Sequence, residues 1–446
     1  MTELYAMAND LGYSSMKTSI YNINKLKNVK DKPSELIATF INNFEKMPST
    51  IVTQRPQDYN KPMVFDNTQQ QNEYFNDLQQ HLDVTITSPA VKKQGRFLIG
   101  TRAIKSGLNT RGFDVNDYTG KSESDLSVIL TLSRIAAEVV KDAYNEKKDL
   151  TKILPASVIM TTNLPIIEGK KPHINDMYKQ RYMSGKHLVT LHNFSQPITV
   201  ELNFADVYVG LEGEMAQFAI ANATSSLKDS IFNDFVTTYP EFKDAFDNDD
   251  TSSIDKKSHP ADKLTNLENV LGIDIGEGTT DFEVIANGRA NPTASLSMST
   301  GYGNVLEDAV GVLQSEQMNI PNRSALNAFL NEKVTFPPKK ARQNHAKEVT
   351  YDQLNQFVDM IIDKTSEVMR HAGTDIELVY VYGGGSIPLQ SQTDMREQLV
   401  NKLKGFAGGY DIPVVWIDKQ HAQIMNLLGL TMYLRYLITT YFQNQQ

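Results

Sequence analysis

Cysteine is absent from the 446 residues. That excludes disulfides, thiolate zinc sites and cysteine nucleophiles together. Long apolar runs are missing too: none reaches the ~20 residues that a membrane-spanning helix needs. The opening stretch Met-Thr-Glu-Leu-Tyr-Ala-Met-Ala has no charged segment leading into an apolar one, the pattern of a secretory signal. A soluble cytoplasmic protein is therefore expected. A basic excess is also lacking. The formal net charge is −9 and the pI is near 5.5, which argues against a broad face for direct nucleic-acid binding. What is present is 40% hydrophobic residues, enough for sizeable buried cores. The length suggests roughly two to four structural units.

The most informative stretch is 271–283, Leu-Gly-Ile-Asp-Ile-Gly-Glu-Gly-Thr-Thr-Asp-Phe-Glu. An apolar β-type run turns through Gly276, Glu277 and Gly278 and returns through Thr279, Thr280 and Asp281, which predicts a hairpin. Glycines in such a turn let backbone N–H groups approach an anion, and the two threonines add hydroxyl donors. Asp274 is expected to hold a hydrated Mg²⁺ at the strand end. The alternative is an ordinary hairpin. A weaker strand–turn–strand unit opens the chain, with Asp10, Gly12, Ser14, Ser15 and Lys17 at its bend. It is either a second phosphate loop or a common Asp-x-Gly turn with a solvated lysine. A third element, 376–389, is an apolar strand that ends in Gly383-Gly384-Gly385 and enters a helix through Ser386. Backbone without side chains gives a base or ribose a flat surface there.

Between these lie elements that position rather than react. Residues 30–95 read as a small α+β insertion and 96–104 as a strand. Residues 124–144 carry apolar positions at helical spacing, with Ser124 or Asp125 as cap. Residues 156–164 read as a buried strand, 187–193 and 198–204 as hairpin strands, and 207–210 as a separate short strand. Glu212 and Glu214 follow at a strand-to-helix junction. They either orient a water or merely favour the positive helix terminus. The polar stretch 244–263 reads as a solvated loop near a boundary between two halves. Gly301 and Gly303 stand at a helix start, where they are nucleotide contacts or a common helix entry. Residues 320–370 read as helical, with basic charges that suit a solvated face. Residues 414–417 read as a strand and 421–436 as a closing helix, with His421 a surface or packing residue.

In this order the elements Asp10-x-Gly12-x-x-x-x-Lys17, Asp274-x-Gly276-x-Gly278-Thr279-Thr280-Asp281 and Gly383-Gly384-Gly385 resemble the actin-like ATPase superfamily over nearly the whole chain. The form Asp-Ile-Gly-Glu-Gly-Thr-Thr-Asp is similar to that of the ParM-like plasmid-segregation actins of Gram-positive bacteria. Tyr13 departs from the small hydroxyl residue usual after Gly12. The resemblance implies an α/β, ribonuclease H-like fold of two similar domains, 1–265 and 266–446. The second would carry a helical insertion over about 305–375, and the C-terminal helix would pack back on the first. ATP or GTP with Mg²⁺ would occupy the interdomain cleft. Asp10 and Asp274 match the metal-side aspartates. Gly12, Ser14, Ser15 and Lys17 match the first phosphate element, and Gly276, Glu277, Gly278, Thr279 and Thr280 the second. Gly301 and Gly303 match further cleft contacts, Gly383, Gly384, Gly385 and Ser386 the adenosine element, and Glu212 the carboxylate that positions attacking water.

The function so implied is ATP hydrolysis, with Glu212 and Asp274 as catalytic residues, coupled to assembly of a head-to-tail filament. The implied partners are further copies of the chain and a ParR-like DNA-binding adaptor, with centromere DNA reached only indirectly and no membrane contact. Rivals on the same fold are a chromosomal or phage cytoskeletal ATPase and a small-molecule kinase. A chaperone would need a peptide-binding domain, and a membrane-bound actin an amphipathic or apolar anchor. A nucleotide-binding scaffold without turnover is the reading from another class.

Overall fold

The computed structural model describes residues 2–25, 39–40, 42–59, 61–114, 119–243, 259–373 and 375–443. Residues 244–258 of the expected polar loop, and 30–38 of the expected insertion, lie outside the described residues. The chain divides into two compact units, Met1–Met215 with Asn426–Gln446, and Ala216–Met425. The sequence put this change near residue 265. It falls earlier because the helix Ser225–Thr238 packs on the second unit. There Asp234 accepts the amide of Trp416 at 2.8 Å and the Tyr239 hydroxyl accepts that of Val414 at 2.8 Å.

The first unit holds β1 (Glu3–Leu11), β2 (Ser15–Asn22), β3 (Glu45–Pro48), β4 (Thr50–Thr53), β5 (Asp83–Thr87), β6 (Gly95–Ile99), β7 (Arg111–Gly112), β8 (Leu154–Leu164), β9 (His187–Leu191) and β10 (Ile198–Leu211). They form one sheet in the order β3-β2-β1-β8-β10-β9-β5-β6-β4-β7. The hairpin β1–β2 is antiparallel, while β8 runs parallel to β1 and β10 parallel to β8. β1 is buried along almost its whole length, as a central strand covered on both faces requires. Within the expected α+β insertion 30–95, the described strands β3 to β5 belong to this sheet. The expected strand 96–104 ends at Ile99, and a short helix, Gly100–Lys105, follows. Residues 198–204 and 207–210 are one strand, whose register against β8 shifts between Phe204 and Asp206. That irregularity interrupts the alternation and makes one bulged strand read as two.

The helix Asp125–Asn145 packs into the core on this sheet, with Leu126, Ile129, Leu132, Ile135, Ala136, Val139, Val140 and Ala143 all buried. Ser124 caps it, its hydroxyl accepting the Leu126 amide at 3.3 Å. The closing helix is Met425–Gln443, preceded by a short turn of helix, Lys419–Ala422, which holds His421. His421 is a packing residue, bonded to Asp418 and Ser226. The closing helix belongs to the first unit: Leu430 O accepts from Thr161 Oγ1 at 2.9 Å, and Asn426 Oδ1 accepts from Gly213 N at 3.0 Å. No helix among the described residues is long and apolar enough to cross a membrane.

The second unit repeats the central pattern with β11 (Val270–Ile275), β12 (Thr280–Ala286), β13 (Arg289–Ala290), β14 (Leu296–Met298), β15 (Leu378–Tyr382) and β16 (Val414–Trp416). Again an antiparallel hairpin, β11–β12, is followed by parallel strands, in the order β12-β11-β15-β16. β14 pairs with the start of β12 as β3 pairs with the start of β2. The region 320–370 is two helices, Arg323–Asn331 and Pro337–His371. The long one serves two cores. Leu354, Phe357, Val358 and Ile361 pack under the sheet. Ala346 and Val349 pack with Leu306, Leu313 and Leu326 in a satellite cluster.

Candidate functional site

Each unit presents one hairpin turn of the same construction. In the first, Leu11 pairs with Met16 and Asp10 with Lys17, leaving residues 12–15 as the turn. The Gly12 amide donates to Ser15 O at 3.1 Å. In the second, Ile275 pairs with Thr280 and Asp274 with Asp281, leaving 276–279, and the Gly276 amide donates to Thr279 O at 2.9 Å. Asp10 and Asp274 therefore occupy the same register, one residue before the strand end. The cross-strand position differs in charge: Lys17 in one unit, Asp281 in the other.

In the first unit Lys17 Nζ lies 2.9 Å from Asp10 Oδ2, and Asn163 Nδ2 reaches Asp10 Oδ1 at 3.4 Å. Ser49 braces the turn, its amide donating to Ser14 O at 2.9 Å and its hydroxyl to Gly12 O at 2.7 Å. Glu212 follows β10, its amide bonded to Leu164 O at 2.8 Å. Its carboxylate is 2.6 Å from Lys121 Nζ, and that ammonium lies 4.2 Å from the centre of the Tyr13 ring. Lys121 is 1% exposed at its side chain. Burial opposes its charge, but Glu212 first and then Tyr13 outweigh it and hold the ammonium above its ordinary range. Glu214 sits apart from this group. Burial pushes its carboxyl up, and its charge acts on Tyr208 and Tyr433.

In the second unit the turn is clamped from behind. The amides of Tyr302 and Gly303 donate to Gly276 O at 3.0 Å and Glu277 O at 2.8 Å. A side chain at Gly301 would meet the carbonyl carbon of Glu277 at 2.6 Å. Gly301 and Gly303 thus bring a helix entry onto the turn. Arg323 Nη2 lies 3.3 Å from the exposed Glu277 carboxylate. The threonine hydroxyls both have partners within the unit: Thr279 Oγ1 donates to Asp281 Oδ2 at 3.0 Å and Thr280 Oγ1 to Thr300 O at 2.9 Å. What the turn offers an anion is then chiefly backbone N–H. The glycine triplet divides by role. Gly383 and Gly385 are buried against the end of β11, with the Gly385 amide donating to Ile275 O at 2.8 Å, while Gly384 is exposed. Ser386 is fully buried, with its hydroxyl on Gly383 O at 2.8 Å.

Solved structures match at full length. The crystal structure of actin-like protein Alp7A superposes over 100% of this chain and 99% of its own, with TM-score 0.65 and 16% identity. The fold is actin-like. Bacillus thuringiensis ParM with ATP matches over 98% of this chain and 100% of its own (TM-score 0.54, 13% identity). Ta0583, an archaeal actin homolog, matches over 98% and 99% (TM-score 0.54, 13% identity). Residues 272–394 match the family described as archaeal actin homologue MreB-like, C-terminal. No curated protein matches the sequence.

On this actin-like fold the duplicated hairpin accounts for why two such dissimilar strings, 10–17 and 274–281, share a turn length. Sequence reasoning missed Lys121, Glu168, Ser49 and Arg323. None sits in a motif, and each reaches its partner across tens of residues of chain. The Lys121–Glu212 pair spans 91 positions. Tyr13, in sequence only a departure from the family pattern, covers the Lys121 ammonium with its ring.

Proposed function

We propose that the chain is an ATP-dependent, filament-forming ATPase that acts in plasmid segregation through a DNA-binding adaptor. The observation that carries the ATPase reading is the pair of identically closed turns, one beside Lys17 and one beside Asp274. The similarity to a ParM solved with ATP supports the nucleotide. In this reading the turns 12–15 and 276–279 bind phosphate oxygens through backbone amides other than those of Gly12 and Gly276, which close the turns, and Lys17 offsets the phosphate charge. Gly384, the exposed member of the triplet, faces the base or ribose.

Mg²⁺ ordinarily keeps several waters and takes one or two carboxylates besides the phosphates. Asp274 suits that role, half-buried at a strand end. Asp10 is engaged on both oxygens by Lys17 and Asn163, so its contact would run through water. When bound, the metal would offset charge on the phosphate oxygens. Glu212 orients a water in line with the γ-phosphorus. As the water oxygen bonds to phosphorus, the bond to the leaving ADP oxygen breaks. The carboxylate takes the water proton and passes it to phosphate.

The match of 272–394 to the MreB-like archaeal family favours, as a second reading, a cytoskeletal filament outside plasmid partition. Phosphate release and light scattering on addition of ATP and Mg²⁺ test the shared core of both readings. Release that accompanies a rise in scattering is expected. A protein that stays monomeric at high concentration, or that phosphorylates an added sugar instead of water, overturns it. Lys17→Met should raise KM for ATP about tenfold with kcat nearly unchanged, because the lysine contacts phosphate alike in the ground and transition states. Steady-state kinetics check this.

A further inference from the structure

A fully buried lysine is an expensive choice for a structural role, because an apolar residue of similar size would pack without desolvating a charge. The surroundings of Lys121 show that its backbone is held independently of its side chain. Glu168 accepts the Lys121 amide at 2.7 Å, the Ser122 amide at 2.9 Å and the Ser122 hydroxyl at 2.7 Å. Arg181 Nη1 donates to Ser122 O at 2.6 Å, and Ser127 Oγ donates to Lys121 O at 2.5 Å. Gly120 makes this approach feasible: its φ is +75°, and a Cβ there would stand 2.3 Å from Glu168 Cδ. The peptide from 120 to 124 is thus fixed by hydrogen bonds that would survive loss of the lysine head. The head itself runs to Glu212 at 2.6 Å under the ring of Tyr13, which is braced edge-on by Phe113 at 6.1 Å.

We propose that Lys121 is the positioning residue of the hydrolytic step: an ammonium enclosed between Glu212 and Tyr13 that keeps the Glu212 carboxylate ionised and fixed in direction. The inference rests on the role given to Glu212 above. A carboxylate as enclosed as Glu212, 8% exposed, would in apolar surroundings hold its proton and could not accept one from water. The ammonium reverses that preference, as a base-orienting partner does in other hydrolytic sites. Tyr13 gives the arrangement its second function. It belongs to the turn that receives phosphate, so the same ring that covers the lysine ties the base to the phosphate site. A small hydroxyl residue at position 13 would leave the ammonium uncovered. The titratable groups facing Lys121 are Glu212 after β10, Glu168 on its short helix and Tyr13 in the turn.

The test is the pH dependence of ATP hydrolysis by the full chain, with Glu212→Gln as reference. Lys121→Met keeps the length of the side chain and removes its charge. It should lower kcat about tenfold at neutral pH and move the acid limb of the kcat profile up by about one pH unit, recovering toward wild type in alkali, with KM changed less than about threefold. Lys121→Arg, which keeps the charge, should leave the acid limb where it is. A merely structural ion pair would lower activity at all pH values without moving the limb. An unmoved limb in Lys121→Met, with Glu212→Gln inactive, overturns the role of Lys121 alone. Full activity of Glu212→Gln overturns the reading of Glu212 on which it rests. Should Lys121→Met fail to fold, Tyr13→Ala removes the ring and keeps the ion pair. Its limb should move in the same direction by a smaller amount, and an unmoved limb overturns the inference.

Discussion

Glu212→Gln is expected to lower kcat for ATP hydrolysis by about 10²- to 10⁴-fold while nucleotide affinity changes less than about threefold. The substitution keeps the volume and one acceptor oxygen, so Lys121 retains a partner at the end of β10. It removes the negative charge, and with it the capacity to take the proton of the attacking water. Loss confined to kcat is the signature of an interaction made in the transition state alone. If hydrolysis limits polymer lifetime, filaments of this variant should also outlast those of the wild type. Single-turnover phosphate release, calorimetric nucleotide binding and sedimentation measure the three quantities separately. Glu214→Gln is the matched control. Its carboxyl lies toward Tyr208 and Tyr433 rather than Lys121, so its kcat should remain within about twofold of wild type, as for a change away from the reacting groups. Hydrolysis by Glu212→Gln at the wild-type rate, or a collapse in Glu214→Gln, would reassign the base.

The choice between those two carboxylates shows where sequence stops being informative. Glu212 and Glu214 are two residues apart, and in the sequence only the resemblance to the actin-like superfamily favours Glu212. What separates them is a lysine 91 positions away in the chain. The hairpins were legible because their chemistry is local: apolar alternation, then a glycine turn, then alternation again. Helix 125–145 was legible for the same reason, with its cap and its apolar spacing both in one window. Elements whose form depends on a distant neighbour were misread. β10 looked like two strands because the register shift after Phe204 against β8 cannot be seen from residues 198–211 alone. The helix Ser225–Thr238 has no local sign of the strand it meets, because Val414 and Trp416, bonded to Tyr239 and Asp234, arrive nearly two hundred residues later. Nor does the sequence show that the hydroxyls of Thr279 and Thr280, read there as donors to an anion, bond Asp281 and Thr300.

The glycine triplet carries that lesson to a measurable end. Three consecutive glycines suggested a bare surface for a planar ligand, yet Gly383 is needed by the fold itself. Its φ is +92°, in the left-handed region that L side chains avoid, and a Cβ there would stand 2.4 Å from both Asp274 Oδ1 and Ile275 O. Its amide donates to Ala422 O at 3.0 Å, so the backbone cannot rotate away without giving up that bond. Gly383→Ala should therefore destabilise the second unit by about 2–5 kcal/mol, from backbone strain and from a clash with a main-chain carbonyl. For a unit of this size that is a fall in Tm of ~5–15 °C. It should also weaken nucleotide binding about tenfold or more, because the displaced carboxylate is that of Asp274, and a loss of one good charge-assisted contact is of that order. Gly384→Ala is the contrasting change. Its new methyl would meet only Gln423 Cγ, at 3.8 Å, so the melting temperature should hold, and any loss of affinity would report a ligand lying on that exposed backbone. Thermal unfolding and calorimetric titration of the two variants separate the roles: equal melting of Gly383→Ala and wild type would mean that the end of β11 yields to the methyl group, and that Asp274 is held by something other than the close approach of Gly383.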